Sequence, residues 1–322
     1  QYLLHLTTNK KSIVGVLYVS KVSILEVGPR DGLQSEPEIL PTEVKKEFIT
    51  RTINAGIKNI EVTSFVHPKK VPQMADAEKL VESLPDRDDV TYIGLIMNQR
   101  GFERARDCGI DEVGMVIVST DTYNMKNQNV VTQESIDSWL DIASSAKSAG
   151  IRTSVVIACS FGCPYEGEVD PEHIASIAEQ ILKGEPDVIG LADSVGVAVP
   201  NQVKTTFALI KDLAPTIPLR THLHNTRNTG LANAAAAVEA GVSIIDASTG
   251  GIGGCPFAPK ATGNIPTDDL LYMLDRSGIE TGVNLKEIVK TTDWLETQLG
   301  RPVPAMVPKA GIFPENAEIN MQ

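Results

Sequence analysis

The chain has 322 residues, 42% of them hydrophobic and 22% charged, the composition of a globular protein long enough to bury a full core as one large domain or two small ones. Its formal charge of −12, from 41 acidic against 29 basic residues, leaves no broad basic field for nucleic acid or an anionic membrane, so a phosphate-bearing ligand has to meet a local basic cluster. Four cysteines at irregular spacings (Cys108, Cys159, Cys163, Cys255) read as free thiols in a reducing compartment, and no window holds the roughly 20 apolar residues that span a bilayer, so a cytoplasmic protein is expected.

The opening QYLLHLTTNKKSIVGVLYVS (1–20) runs apolar, basic, apolar, the wrong order for a signal peptide, and lacks the arginines of a mitochondrial presequence. It is read as an N-terminal extension or a mis-set start. From Val22 onward, short apolar runs alternate with amphipathic stretches. VSILEV precedes a helix after Pro41, NIEVTSF a helix near Gln73, TYIGLIM a helix from Gln99, and EVGMVIVST a helix from Gln133. RTSVVIACS leads to a helix from Pro171, DVIGLADS to one from Pro200, LRTHLH to the alanine-rich helix Gly230 to Ala240, and VSIIDAS to one from Thr267.

Eight strand–helix units in about 255 residues match the size and repeat of an α/β fold of the (β/α)8 TIM-barrel type. A doubly wound open sheet is the alternative, and it needs a dinucleotide-type phosphate loop. The glycine cluster GGIGG (250–254) follows the eighth strand but leads into Cys-Pro, not into a helix. The expected layout is therefore an extension (1–20), one barrel domain (21–300) ending in an additional helix from Asn284 to Gly300, and a Pro-rich C-terminal tail (301–322) packed on the barrel or on a partner subunit.

Active sites of such barrels lie at the C-terminal ends of the strands. Arg30 and Asp31 follow strand one in the loop GPRDG, Glu61 and Ser64 end strand two, Asp193 ends strand six, and Asn264 and Cys255 lie after strand eight. His222 and His224 close strand seven, where a period of two points both imidazoles to one side, about 6–7 Å apart along the chain. Such a pair either chelates a cation or is satisfied by hydrogen bonds in the core. Adding Asp31 and Asn264 gives a carboxylate, an amide oxygen and two imidazoles, a mixed set suited to Mg²⁺ or Mn²⁺. A metal hydrolase of the amidohydrolase type would instead carry its histidine pair on the first strand and further histidines later.

With Asp31 committed to a metal, Arg30 is free to hold a carboxylate or carbonyl oxygen of a substrate; its alternative is a structural ion pair with Asp31 or Glu61. Glu61 either orients Arg30 or relays a proton, and the orienting role is favoured. Cys255, in a glycine-rich loop at the mouth, is read as an acid or base thiol, whereas Cys159 and Cys163 in CSFGCPYEG match no zinc ribbon and are expected to pack near the mouth.

The stretches EVGPRDGLQ, IEVTSFVHPKKVPQM, CSFGCPYEG, LADSVG, HLHNTR and GGIGGCPFAPKATGN, in this order, resemble the 3-hydroxy-3-methylglutaryl-CoA lyase family and cover the chain from about Val22 to Leu285. GPRDGLQ together with GGCP nine residues before Asn264 marks the lyase branch; condensing synthases of the same superfamily share the Arg-Asp element and the His-x-His but not the cysteine loop. The resemblance implies Asp31, His222, His224 and Asn264 as ligands of a divalent cation, and Arg30 as the group that stabilises an enolate. It further implies Cys255 as an acid/base thiol, supporting roles for Glu61 and Asp193, an acyl-CoA substrate, and a homodimer or larger homo-oligomer.

Lys69 and Lys70 are the nearest candidates for the CoA phosphates. Asn225 stands where many such lyases have aspartate, TRN (226–228) replaces a Tyr-Gly type sequence, and Lys260 replaces a small residue. These departures bear on the acyl group, so a lyase for a different 3-hydroxyacyl-CoA is the main alternative. A condensing synthase and a non-catalytic barrel follow behind it.

Overall fold

The structure is a computed structural model that describes residues 20–254 and 263–314. Eight parallel strands close into a barrel in sequence order: β1 (Ser23–Glu26), β2 (Asn59–Ser64), β3 (Thr91–Ile96), β4 (Glu112–Val118), β5 (Arg152–Ala158), β6 (Val188–Asp193), β7 (Leu219–Leu223) and β8 (Ile244–Ala247). Closure comes from β1 on β8, in register Leu25 with Asp246 and Glu26 with Ala247. The (β/α)8 barrel expected from the alternation is the fold observed.

Helices α1 (Thr42–Asn54), α2 (Ala77–Ser83), α3 (Gln99–Asp107), α4 (Asp121–Asn127), α5 (Thr132–Ala149), α6 (Pro171–Ile181), α7 (Pro200–Leu213), α8 (Gly230–Glu239) and α9 (Thr267–Arg276) follow the strands. Their starts are written in local chemistry. Asn98 accepts the Gly101 N–H ahead of α3, and Asp170 accepts the Glu172 N–H ahead of α6, whose first residue is Pro171. The helices bury their apolar faces on the outside of the sheet, where Trp139 is wholly buried and donates its indole N–H to the Ile181 carbonyl at 2.9 Å.

Two helical segments differ from the sequence reading. The unit after β4 holds a helix, α4, ahead of the one expected from Gln133: seven residues (DTYNMKN) are too few to show an apolar period. The segment near Gln73 is a single 3-10 turn, Pro72–Met74, and the α-helix proper starts at Ala77.

The expected additional helix is α10 (Leu285–Leu299), capped by the Asn284 side chain on the Lys286 and Glu287 N–H groups and packed against α1 and α9. The described part of the tail carries a short helix, α11 (Val307–Ala310), held to the barrel by Met306 and Val307 N–H groups donating to Asp269. No helix among the described residues is long and apolar enough to cross a membrane. The extension (1–19) and the loop with Cys255 and Lys260 lie outside the described residues.

Candidate active site

The turn after β1 is built to present two charged side chains. Gly28–Gly32 form one π-helical turn in which the N–H groups of Arg30, Asp31 and Gly32 all converge on the Val27 carbonyl, at 3.2, 2.7 and 3.2 Å. A Cβ at Gly28 would stand 2.5 Å from Glu26 Oε1, and one at Gly32 2.7 Å from Ile252 Cγ1. Only glycine lets the turn lie this close to the loop after β8. In β2 the register with β3 shifts between Glu61 and Thr63, an irregularity that sits beside the carboxylate facing Arg30.

Arg30 is buried and bridges two acids. Its Nε and Nη2 meet Glu61 Oε2 at 2.7 and 2.5 Å, and its Nη1 meets Asp31 Oδ1 at 2.6 Å. The guanidinium is therefore oriented by Glu61 and also tied to Asp31, so both pairings weighed from the sequence occur together. Burial works against its charge, but the two carboxylates prevail and raise its pKa further.

Asp31, His222 and His224 converge, their nearest ligand atoms all within 4.8 Å of one another. Asn264 is brought in by backbone pairing: it bridges to His224, and the Ile265 N–H donates to Leu223 O at 3.1 Å. Its Nδ2 donates to Asp31 Oδ2 at 2.9 Å and to Ile252 O at 3.1 Å. Its Oδ1, like His224 Nδ1, is buried with no hydrogen-bond partner among the described residues.

A buried acceptor left unpaired beside a carboxylate is costly unless a cation satisfies it. The donor set, one carboxylate, one amide oxygen and two imidazoles, fits a divalent cation that tolerates mixed oxygen and nitrogen ligation. The protonation states of Asp31 and His224 agree with that fit. Burial opposes ionisation of Asp31, but Arg30 and the two imidazoles hold its carboxyl down at about 2. Burial and the neighbouring His222 lower His224 to about 4, which keeps it neutral and able to ligate.

Two charged residues that line the site cavity were missed from the sequence. Asp246 of β8 accepts from His222 Nδ1 at 3.0 Å, and its two oxygens take Arg220 Nε and Nη2 at 2.7 Å each. Burial works against charge on His222, and the hydrogen bond and charge of Asp246 with Asp31 outweigh it, so its pKa is raised. The signals were present: Arg220 lies two residues before His222 and so on the same face of the strand, and Asp246 is a lone acid inside the apolar run VSIIDAS.

The cavity at this end measures about 110 Å³; Arg30, Asp31, Glu61, Arg220, His222 and Asp246 provide its charged wall, and Leu95, Met115, Val116, Val156, Ala158 and Ala192 its apolar one. Ser194 also reaches it. Asp193, next to Ser194, turns both oxygens to the N–H groups of Val197 and Ala198, at 2.9 Å each, and thus shapes the turn after β6. Lys69 and Lys70 are exposed after β2 and have no ion-pair partner among the described residues. Cys159 and Cys163 are buried in an apolar cluster with Val118, Tyr123 and Ala158.

Of the sequence departures, Asn225 accepts the Gly230 N–H at 3.2 Å and Arg227 donates to the carbonyls of Val195 and Gly196, at 3.1 and 2.8 Å. Both hold loops at the mouth, and neither is among the cavity-lining residues.

Comparison with known proteins bears on this geometry. Residues 21–295 match the model of the HMGL-like family. The chain is 41% identical over 305 residues to an (R)-citramalyl-CoA lyase of Chloroflexus aurantiacus, covering 91% of this chain and 96% of that protein. It is 38% identical over 288 residues to a hydroxymethylglutaryl-CoA lyase of Bacillus subtilis, covering 89% and 96%. Among solved structures, an HMG-CoA lyase from Acinetobacter baumannii in complex with coenzyme A and 3-methylmalate superposes with a TM-score of 0.89 at 36% identity, over 94% of this chain and 99% of that one.

Proposed function

The chain belongs to the HMGL-like family of lyases, and on that premise we propose that it is a divalent-metal-dependent carbon–carbon lyase cleaving 3-hydroxy-3-methylglutaryl-CoA to acetoacetate and acetyl-CoA. The observation that carries this reading is the convergence of Asp31, His222 and His224 with Asn264 Oδ1, which has no hydrogen-bond partner among the described residues, beside a cavity lined by Arg30, Asp31 and His222. A relative in complex with coenzyme A and a hydroxy acid supports a CoA ester as substrate.

The reaction is a retro-Claisen cleavage. The tertiary hydroxyl loses its proton, the C2–C3 bond breaks, the keto acid departs, and the bonding pair remains on acetyl-CoA as an enolate that is protonated at C2. A Mg²⁺ or Mn²⁺ ion held by Asp31, His222, His224 and Asn264 would act as a Lewis acid on the hydroxyl and carboxylate oxygens of the substrate. Arg30 faces the thioester oxygen, where negative charge grows, and Glu61 fixes the guanidinium plane so that no reorganisation is needed at that moment. Asp193 shapes the turn that brings Ser194 to the cavity. Cys255 is assigned the proton transfer to or from substrate. Lys69 and Lys70 are assigned to the CoA phosphates, as exposed cations free of ion pairs among the described residues on an otherwise acidic protein.

A second acyl group is favoured by a specific observation: the 41% identity to a citramalyl-CoA lyase. Citramalyl-CoA carries its carboxylate directly on the carbinol carbon and would release pyruvate by the same chemistry. The test is product identification. Purified protein with Mg²⁺ is given each thioester in turn, and acetyl-CoA, acetoacetate and pyruvate are quantified. Higher kcat/KM for the methylglutaryl ester, with acetoacetate released, is the expected result. A tenfold preference for the citramalyl ester would move the substrate and keep the mechanism, whereas condensation of acetyl-CoA with a 2-keto acid in the absence of cleavage would refute the lyase reading.

A further inference from the structure

We infer that Arg220 is a positioning residue for the metal, acting through Asp246 on His222; this rests on the metal reading above. The barrel's register dictates the arrangement. His222 of β7 pairs with Asp246 of β8, and Arg220 lies two residues earlier on β7, on the same face and one layer deeper. The Arg220 side chain therefore reaches Asp246 from below while the His222 imidazole meets it from the side.

Arg220 takes both carboxylate oxygens in two parallel hydrogen bonds of 2.7 Å, with the two side chains 4% and 1% exposed. That fork fixes the carboxylate plane. Oδ2, shared between Arg220 Nη2 and His222 Nδ1, then has one direction left in which to accept, and a carboxylate can only accept, so Nδ1 is the donor. His222 Nε2 is left with its lone pair turned to where His224 Nε2 stands 3.2 Å away and Asp31 Oδ2 3.9 Å away. A ligand imidazole held by a carboxylate is a common way of fixing ring orientation. Here the carboxylate is itself held, and without Arg220 it would be free to turn and to release the ring.

The experiment measures Mn²⁺ affinity of the metal-free protein, reading free Mn²⁺ by electron paramagnetic resonance, for wild type, Arg220→Met, Arg220→Lys and the double variant Arg220→Met/Asp246→Asn. Arg220→Met should raise the Kd about 10- to 100-fold, the range found when outer partners of metal ligands are removed. Lysine, a single-point donor, should restore only part of that loss. Should Arg220→Met fail to fold with Asp246 left unpaired, the double variant removes both charges together and should show the same loss. A folded Arg220→Met or double variant binding Mn²⁺ within twofold of wild type overturns the proposal. A raised KM for substrate at unchanged Mn²⁺ affinity does so too, since it makes Arg220 a substrate contact. Wild-type protein that binds no Mn²⁺ would instead overturn the metal reading itself.

Discussion

Replacing Glu26 by glutamine tests how the two loops that carry the site are joined beneath it. Glu26 ends β1 wholly buried and accepts four hydrogen bonds: from Gly28 N–H at 2.9 Å, Thr249 N–H at 2.8 Å, Thr249 Oγ1 at 2.7 Å and Thr267 Oγ1 at 2.8 Å. It thereby ties the Arg30–Asp31 turn to the start of the loop after β8. Burial raises its pKa, the four donors lower it, and burial prevails, lifting it from 4.5 to about 7. A carboxyl whose folded pKa exceeds its unfolded value contributes stability in full below the unfolded value, near 4.5, and loses it as pH rises through about 7.

The whole loss is about 3 kcal/mol, of which about 2.5 kcal/mol falls between pH 5 and pH 8. Glutamine has no proton to lose, and its own cost, an amide nitrogen turned to a donor, is independent of pH. Asp268, which burial lifts to about 6, is present in both proteins and cancels. Urea unfolding of the metal-free proteins at pH 5 and pH 8 measures the difference. Wild type should exceed Glu26→Gln by about 2.5 kcal/mol more at pH 5 than at pH 8. An equal difference at both pH values, or a larger one at pH 8, would refute the account.

Three substitutions test the chemistry. Cys255→Ser should lower kcat by about 10² or more with substrate binding nearly intact, measured by steady-state kinetics and by binding of a non-cleavable thioester; a rise in KM alone would make Cys255 a contact residue. Arg30→Lys should lower kcat by roughly three powers of ten in a folded protein, because one ammonium cannot serve Glu61, Asp31 and a developing oxyanion together; near-normal turnover would remove Arg30 from the mechanism. Lys69→Ala with Lys70→Ala should raise the KM for the CoA ester several-fold at unchanged kcat, less so at high salt; an unchanged KM would place the CoA phosphates elsewhere.

The barrel was legible because each strand–helix unit carries its own period and its own cap, as at Asp170–Pro171 and Asn284. The histidine pair was legible because strand period is a local property, and the acid and amide beside it because this architecture sends every strand-end loop to one mouth. What escaped is what depends on packing between strands. Arg220 and Asp246 lie 26 positions apart, and nothing local in either strand says that they form a buried fork. Glu26 reads as an ordinary strand residue until the loops after β1 and β8 close over it. Asn225, noted as a departure near the acyl group, turns to the Gly230 N–H instead, because the residues after β7 must satisfy the start of α8.

The central claim, that carbon–carbon cleavage depends on a cation held by Asp31, His222, His224 and Asn264, is tested most directly by one titration. Chelator-stripped wild-type and His224→Ala proteins are assayed for acetyl-CoA release from 3-hydroxy-3-methylglutaryl-CoA as Mg²⁺ is added back. The account predicts no release without metal, saturable recovery in wild type, and little or no recovery in His224→Ala at the same concentrations. Full turnover by verified metal-free wild type, or equal Mg²⁺ recovery in His224→Ala, would contradict it.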